Sequence, residues 1–205
     1  LEFDGAALST DVWLNGTLEE VCRLVESQLD WALGAVMRVR AGVLELAAGL
    51  VTLAWIRQAA GDRRGARDAM AEAESASAGP SGLLNPVPAQ RARLLLAHGD
   101  MAGVAQWVGD CGLDPGDQPN YPNEPGHLVL ARLLLAQGDA TAAGALLDRL
   151  DAAAAGQQRT GSVIEIRAIR AMAFAALGDE AGATAVLTSA LELGWPQGYI
   201  RVFTD

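Results

Sequence analysis

Four Gly-Asp pairs stand at near-even intervals along this chain: Gly61-Asp62, Gly99-Asp100, Gly138-Asp139 and Gly178-Asp179, in steps of 38, 39 and 40 residues. One such pair is common by chance. Four at this spacing, each between helical patterns, mark an internal repeat of helical hairpins. The chemistry suits a tight helix-to-helix turn. Gly takes the left-handed conformation that ends one helix, and the Asp carboxylate accepts hydrogen bonds from the free amides that begin the next.

Context repeats with the turn. Seven residues before each Gly stands an alanine, at Ala54, Ala92, Ala131 and Ala171. Five residues after it comes Ala66, Val104, Ala143 or Ala183, preceded by Gly65, Gly103, Ala142 or Gly182. Small residues here let the helices of a hairpin approach closely. Bulky apolar residues follow one turn later, at Met70, Val108, Leu147 and Leu187, where they are expected to fill the core between hairpins. These positions resemble the tetratricopeptide motif. The resulting expectation is an all-α, tetratricopeptide-like superhelix of about four to five antiparallel helical hairpins. First (A) helices run about 41–60, 87–98, 125–137 and 161–177; second (B) helices run about 62–77, 100–109, 139–154 and 179–193. A further helix from about Thr17 to Leu33 begins the array, and Thr17 with Glu20 forms its capping box. Residues 1–16 read as an N-terminal extension or tag remnant and 17–205 as one repeat domain. Its hairpins lie at about 41–78, 86–109, 125–154 and 161–194, with a C-terminal cap at 195–205.

Two segments interrupt the pattern. Gly79 to Pro88 is rich in proline and glycine and reads as a connector. Asp110 to Pro125, with Asp114-Pro115-Gly116-Asp117 and then Pro119, Pro122 and Pro125, is too broken for a helix. Long loops in compact domains are often functional, and the plain alternative is a solvent-exposed spacer.

Composition narrows the partners. The net charge of −10 opposes nucleic-acid binding by this segment, because neutralising phosphates needs clustered positive charge. There are 15 Arg and no Lys, which with abundant Ala and Gly suggests a GC-rich bacterial gene. Cys22 and Cys111 lie far apart with no metal-ligand spacing, and are expected as buried thiols in a reducing cytosol. The most apolar stretch, Ala41 to Ile56, is too short and too interrupted to cross a bilayer, so no membrane role is expected. Nothing at Leu1-Glu2-Phe3 resembles a signal peptide. The expected location is cytoplasmic.

A more particular likeness lies in the C-terminal half. His127-Leu128-Val129-Leu130-Ala131-Arg132-Leu133-Leu134-Leu135-Ala136-Gln137-Gly138 is followed by Arg159-Thr160-Gly161-Ser162-Val163-Ile164-Glu165-Ile166, and the chain closes with Gly198-Tyr199-Ile200-Arg201-Val202-Phe203-Thr204-Asp205. In this order they resemble the superhelical sensor region of the large ATP-binding LuxR-type transcriptional regulators, the MalT-like family. The resemblance implies a region that binds a small-molecule effector or a regulatory protein and supports self-association, so a homo-oligomer is possible. It also implies a fragment, since DNA contact would come through a C-terminal helix-turn-helix missing here. No phosphate-binding Gly-x-x-x-x-Gly-Lys-Ser/Thr loop can exist in a chain without Lys, so neither ATPase activity nor a cofactor is expected. The alternative is a general protein-interaction scaffold unrelated to transcription.

Candidate ligand-binding residues follow from the tetratricopeptide register, in which A helices line a concave groove. The residue six before each Gly faces it: Trp55, Arg93, Arg132 and Met172, with Gln58 and Glu165 nearby. Hairpins stack roughly 10 Å apart, so Arg93 and Arg132 are expected as neighbours. Guanidiniums and an indole suit a carboxylate, a phosphate or a sugar face; the alternatives are pairing with local acids for the arginines and a core position for Trp55. Glu124 and His127, at i, i+3 spacing, form a second cluster. No metal site and no catalytic residue is expected: His98 precedes a turn where it complements the helix dipole, and no nucleophile-base pair is legible. Trp195, Tyr199, Ile200 and Phe203 are expected to cap the apolar end of the stack.

Overall fold

The computed structural model describes residues 43–77 and 87–198. Among them stand eight α-helices and no strand: α1 (Val43–Ala59), α2 (Arg63–Ala76), α3 (Val87–Ala97), α4 (Met101–Asp110), α5 (Glu124–Ala136), α6 (Ala140–Gly156), α7 (Thr160–Ala176) and α8 (Glu180–Gly194). The fold is the expected all-α, tetratricopeptide-like repeat. The expected helix at 17–33, most of the connector at 79–88, Cys22, and the capping residues Tyr199, Ile200 and Phe203 lie outside the described residues. Of that connector, Val87 and Pro88 already belong to the first turn of α3, where the missing proline amide has no intrahelical partner to lose.

Each repeated Gly-Asp pair forms the same turn. Gly61, Gly99, Gly138 and Gly178 have φ of 81°, 83°, 86° and 79°, a backbone that side chains with a Cβ enter only at a cost. The following Asp caps the next helix. Its Oδ1 accepts from the amide of Gly65, Gly103, Ala142 or Gly182 at 2.8, 2.9, 2.9 and 2.8 Å. This changes the meaning of the small residue four after each Gly. A Cβ at Gly65, Gly103 or Gly182 would sit 2.0, 2.7 or 2.4 Å from the capping carboxylate, nearer than anything across the hairpin. Ala142 carries a Cβ beside the same cap bond, so the cap and the close approach of the helices together favour a small residue there. The dipeptide alone does not make a turn: Gly109-Asp110 ends α4, and Gly116-Asp117 lies in a loop.

The chain divides at Arg91/Ala92 into two compact units. In the first, α1 packs on α2 around Ala47, Leu50, Ala73 and Val87, with Leu46, Val51 and Ala76 against them. Trp55 Nε1 donates to Gln90 Oε1 at 2.9 Å, and Arg91 pairs with Glu74 at 3.2 Å. In the second unit α4 packs on α5, α5 on α6 and α7, and α7 on both α6 and α8. Leu146, Leu147, Leu150, Ile164 and Ile166 form its densest core. Full burial of each such side chain contributes about 1.5–3 kcal/mol. The alanines seven before each Gly are buried in both units, and Ala131 is 0% exposed, leaving no room for a larger side chain.

Two apolar expectations fail at the last hairpin. Met70, Val108 and Leu147 are buried, but Leu187 is 38% exposed. Trp195, expected as a cap, is 81% exposed on the 3-10 turn Trp195–Gln197 that follows α8. The interior of each earlier B helix is filled by a later element, and the described residues supply none against this face of α8. Cys111 likewise is exposed rather than buried, because it follows the last residue of α4 at the start of the connector. Partial burial and the neighbouring Asp110 charge raise its thiol above the usual cysteine value, which disfavours the reactive thiolate.

The connector between α4 and α5 is held by side chains. Residues 111–123 end in a 3-10 turn, Tyr121–Asn123, capped by Asn120, and Pro125 sits in the first turn of α5. Leu113 packs against Gly126, where a Cβ would lie 3.0 Å from Leu113 Cδ1. Arg149 of α6 donates to the Pro115 carbonyl.

Candidate ligand-binding face of the A helices

Arg132 lies on α5 directly after the fully buried Ala131, so it emerges beside the packed seam with only 17% of its side chain exposed. Glu165 on α7 is flanked by Ile164 and Ile166, both 0% exposed, and keeps 26% of its own side chain accessible. Arg93, in the α3 residues of the second unit, is as sheltered as Arg132, at 17%. The three converge on one atom. Glu165 Oε1 accepts from Arg132 Nη2 at 2.8 Å and from Arg93 Nη1 at 3.4 Å. Arg132 Nη1 also reaches back to the Leu128 carbonyl of its own helix at 3.5 Å, a weak contact that further orients its fork. Two cations thus meet at one anionic oxygen, within a chain of net charge −10. Partial burial strengthens these contacts relative to exposed pairs. Met172, seven residues beyond Glu165 on α7 and so on the same helix face, is 60% exposed.

Of the residues expected together, Arg93, Arg132 and Glu165 therefore meet within the second unit. Trp55 and Gln58, both half-buried on α1, belong to the first. The Trp55 indole N–H is engaged by Gln90, a partner that sequence spacing does not reveal.

Glu124 and His127 are both buried, at 5% and 1% exposed, and each has a partner other than its neighbour. Glu124 accepts from Arg159 Nη1, which also donates to Ser162 Oγ at 2.8 Å. The Arg159 guanidinium lies 5.0 Å from the centroid of the Tyr121 ring, within cation–π range. His127 Nε2 meets Asp117 Oδ2 at 3.1 Å, and its buried Nδ1 has no hydrogen-bond partner among the described residues. Asp117 is held below the usual aspartate range, first by the Asp114 backbone amide and next by His127. Asp117 and Tyr121 thereby tie the connector to His127 and Arg159, and Glu124 and His127 do not meet each other.

Sequence reasoning missed Arg159, Asp117 and Arg149 as anchors, because each acts on a residue ten or more positions away. It also missed a ladder between α6 and α7. Arg167 Nε donates to Asp151 Oδ1 at 3.0 Å, and Arg170 pairs with Asp148 and, at 3.9 Å, with Asp151. Matching i, i+3 spacing of two acids and two arginines on adjacent helices was the available signal.

Among the described residues no cluster of His, Cys, Asp or Glu is placed to hold a metal ion, and no helix is long and apolar enough to cross a membrane. Repeats of this kind generally serve as scaffolds rather than catalysts. No curated protein matches the chain. Two solved structures resemble it: the nearly identical TPR-like repeats of a putative kinesin light chain from Podosopora anserina, and a point variant of the same protein. They are 21% and 20% identical to this chain, over 88% and 89% of each chain, with TM-scores of 0.47 and 0.49. The family model of the MalT-like TPR region matches residues 31–205. Matched over that span, the chain belongs to the MalT-like TPR region family.

Proposed function

We propose that this segment is the effector- or partner-binding and self-association region of a bacterial, cytoplasmic LuxR-type transcriptional regulator, with its ligand received on the A-helix face at Arg93, Arg132 and Glu165. The observation that carries the site is the convergence of two sheltered guanidiniums on one carboxylate oxygen. Surface ion pairs on a repeat array are usually exposed and worth little. Here the arginines come from separate A helices and keep just enough access for a ligand atom to reach them. Family membership supports the regulatory setting. The acidic balance of the segment and its lack of Lys leave DNA reading and nucleotide hydrolysis to other parts of such a regulator.

A thermal-shift screen of sugars, nucleotides and metabolites, run in parallel on the Arg132→Ala protein, tests the site. The expected result is a compound that raises the melting temperature of the native protein and loses that effect in the variant. A confirmed ligand that stabilises both proteins equally would remove the A-helix face from the proposal.

The coarser alternative, a protein-interaction scaffold without a small-molecule effector, is supported by the repeat fold itself. The gene sequence following Asp205 separates the two. A helix-turn-helix there favours the regulator, and an unrelated domain favours the scaffold.

A further inference from the structure

The ion triad at Glu165 has a chemical consequence for what the face can accept. Its two guanidiniums are already arranged around an anionic oxygen, at 2.8 and 3.4 Å, so the geometry needed to bind a carboxylate is present before any ligand arrives. The oxygen occupying that position belongs to the protein. We infer that Glu165 is a tethered stand-in for a ligand carboxylate, and that the face binds a carboxylate-bearing compound or acidic side chain by exchange with it. This deepens the site reading above and rests on it.

Three observations favour exchange over a permanent structural tie. The Glu165 side chain is 26% exposed, so on release it can hydrate instead of remaining as a buried unpaired charge. Arg132 has a second contact, to the Leu128 carbonyl, that helps keep its fork in place when Glu165 leaves. The fully buried Ile164 and Ile166 hold the α7 backbone in position on either side, so only the glutamate side chain needs to move.

Charge selects a carboxylate over a phosphate. Any incoming anion sits beside the displaced Glu165 carboxylate, and the chain carries a net charge of −10. A single negative charge replaces Glu165 at little electrostatic cost, whereas a phosphate near its dianionic form meets repulsion from both. Met172, exposed on the same face of α7, offers an apolar contact for the carbon skeleton attached to the carboxylate.

Exchange makes a counterintuitive demand: removing the internal competitor should improve binding. Titration calorimetry at low salt compares glutarate with its neutral analogue glutaramide, inorganic phosphate and a blocked glutamate-containing peptide. The native protein and the Glu165→Gln, Arg132→Met and double variants are each titrated, with helical content checked by circular dichroism. Glutarate, the peptide or both should bind Glu165→Gln about tenfold more tightly than the native protein. Arg132→Met and the double variant should bind neither, and glutaramide should bind none of the proteins. The relative strength of the two carboxylates tells whether the source is a small acid or a protein segment. Equal affinity of native and Glu165→Gln proteins, or phosphate binding as tightly as glutarate, overturns the inference. If Glu165→Gln does not fold, the Arg132 Nε–H resonance of the native protein decides. It should shift with glutarate and not with glutaramide, and an unmoved resonance overturns the inference equally. A neutral effector from the thermal-shift screen whose stabilisation needs Arg132 would defeat exchange while leaving the binding face standing. A confirmed ligand indifferent to both Arg132 and Glu165 defeats the two together.

Discussion

At the Gly138-Asp139 turn every tie is local. Gly138 N donates to Leu135 O at 3.0 Å, Asp139 N to Leu134 O at 2.9 Å, and Ala142 N to Asp139 Oδ1 at 2.9 Å. The connector at 111–123 instead joins the B-type helix α4 to the A-type helix α5, and draws its anchors from α5, α6 and the residue before α7 through His127, Arg149 and Arg159. One link is written in a few adjacent residues and can recur anywhere along the chain. The other exists only once the second unit has packed, and the groups that anchor it, Glu124, His127 and Arg159, are sheltered instead of solvated. The two should therefore fail differently: a turn mutation weakens one helix start, and a connector mutation strands a buried charge.

The sharpest break is Arg159→Ala. It leaves the Glu124 carboxylate, 5% exposed, without its cation and removes the guanidinium over Tyr121. Losing one partner of a mostly buried pair should lower stability by about 2–3 kcal/mol, read from urea unfolding of the native and variant proteins. Amide exchange at 111–123 should rise with it. A loss below about 0.5 kcal/mol, the range of an ordinary surface change, would mean that the connector does not depend on this pair.

Asp139→Ala tests the other side of the comparison. Its cap bond is one of four equivalents, and an N-cap lost to alanine costs about 1 kcal/mol. Exchange should increase in the first turn of α6 while residues 111–123 stay protected. If the connector loosens as much as the helix start, the two kinds of link are coupled, and the contrast fails.

This contrast also explains what could be read from the sequence. Turn chemistry depends on neighbours within five residues, so the Gly-Asp period yielded helices whose ends match the structure within a residue or two. Ala54, Ala92, Ala131 and Ala171 announced the packed seams for the same reason. The meeting of Arg93, Arg132 and Glu165 was partly legible, because a regular repeat converts sequence offset into spatial position. The anchors of the connector were not. Arg159 and Glu124 are 35 positions apart and sit outside the repeated offsets, so no periodic argument joins them. Exposure at Leu187 and Trp195 was misread because the repeat pattern assumes a neighbour on every side.

One turn departs from the glycine rule, and it offers a smaller test. Between α6 and α7 the left-handed position is filled by Gln158, with φ of 57°, and Arg159 follows without a side-chain cap bond. The backbone bonds are those of the Gly-Asp turns: Gln158 N to Ala155 O at 3.0 Å and Arg159 N to Ala154 O at 3.0 Å. A residue with a Cβ costs roughly 1–2 kcal/mol in this conformation, partly offset because it has less freedom to lose on folding. Gln158→Gly should therefore stabilise the protein by about 0.5 kcal/mol, seen as a higher urea midpoint at unchanged slope. A destabilised variant would show that the Gln158 side chain makes contacts that outweigh its backbone strain.

The subtlest test concerns Asp117, whose ionisation reports how the connector is held. Its folded pKa is depressed, so its stabilising contribution is complete above the ordinary aspartate value. As the pH falls through the lower folded value, that contribution is lost. The larger cause is the Asp114 backbone amide, with the His127 side chain second. Replacing His127 with alanine removes its hydrogen bond and its electrostatic effect but leaves the backbone amide, so the Asp117 pKa should rise towards the usual range but remain below it. The Asp117 carboxyl carbon, followed by NMR in both proteins during acid titration, measures this directly. An unchanged Asp117 titration would mean that His127 does not hold its charge, which would leave the Asp114 amide, a neighbour in the chain, as its main support, much as in the turns it was set against.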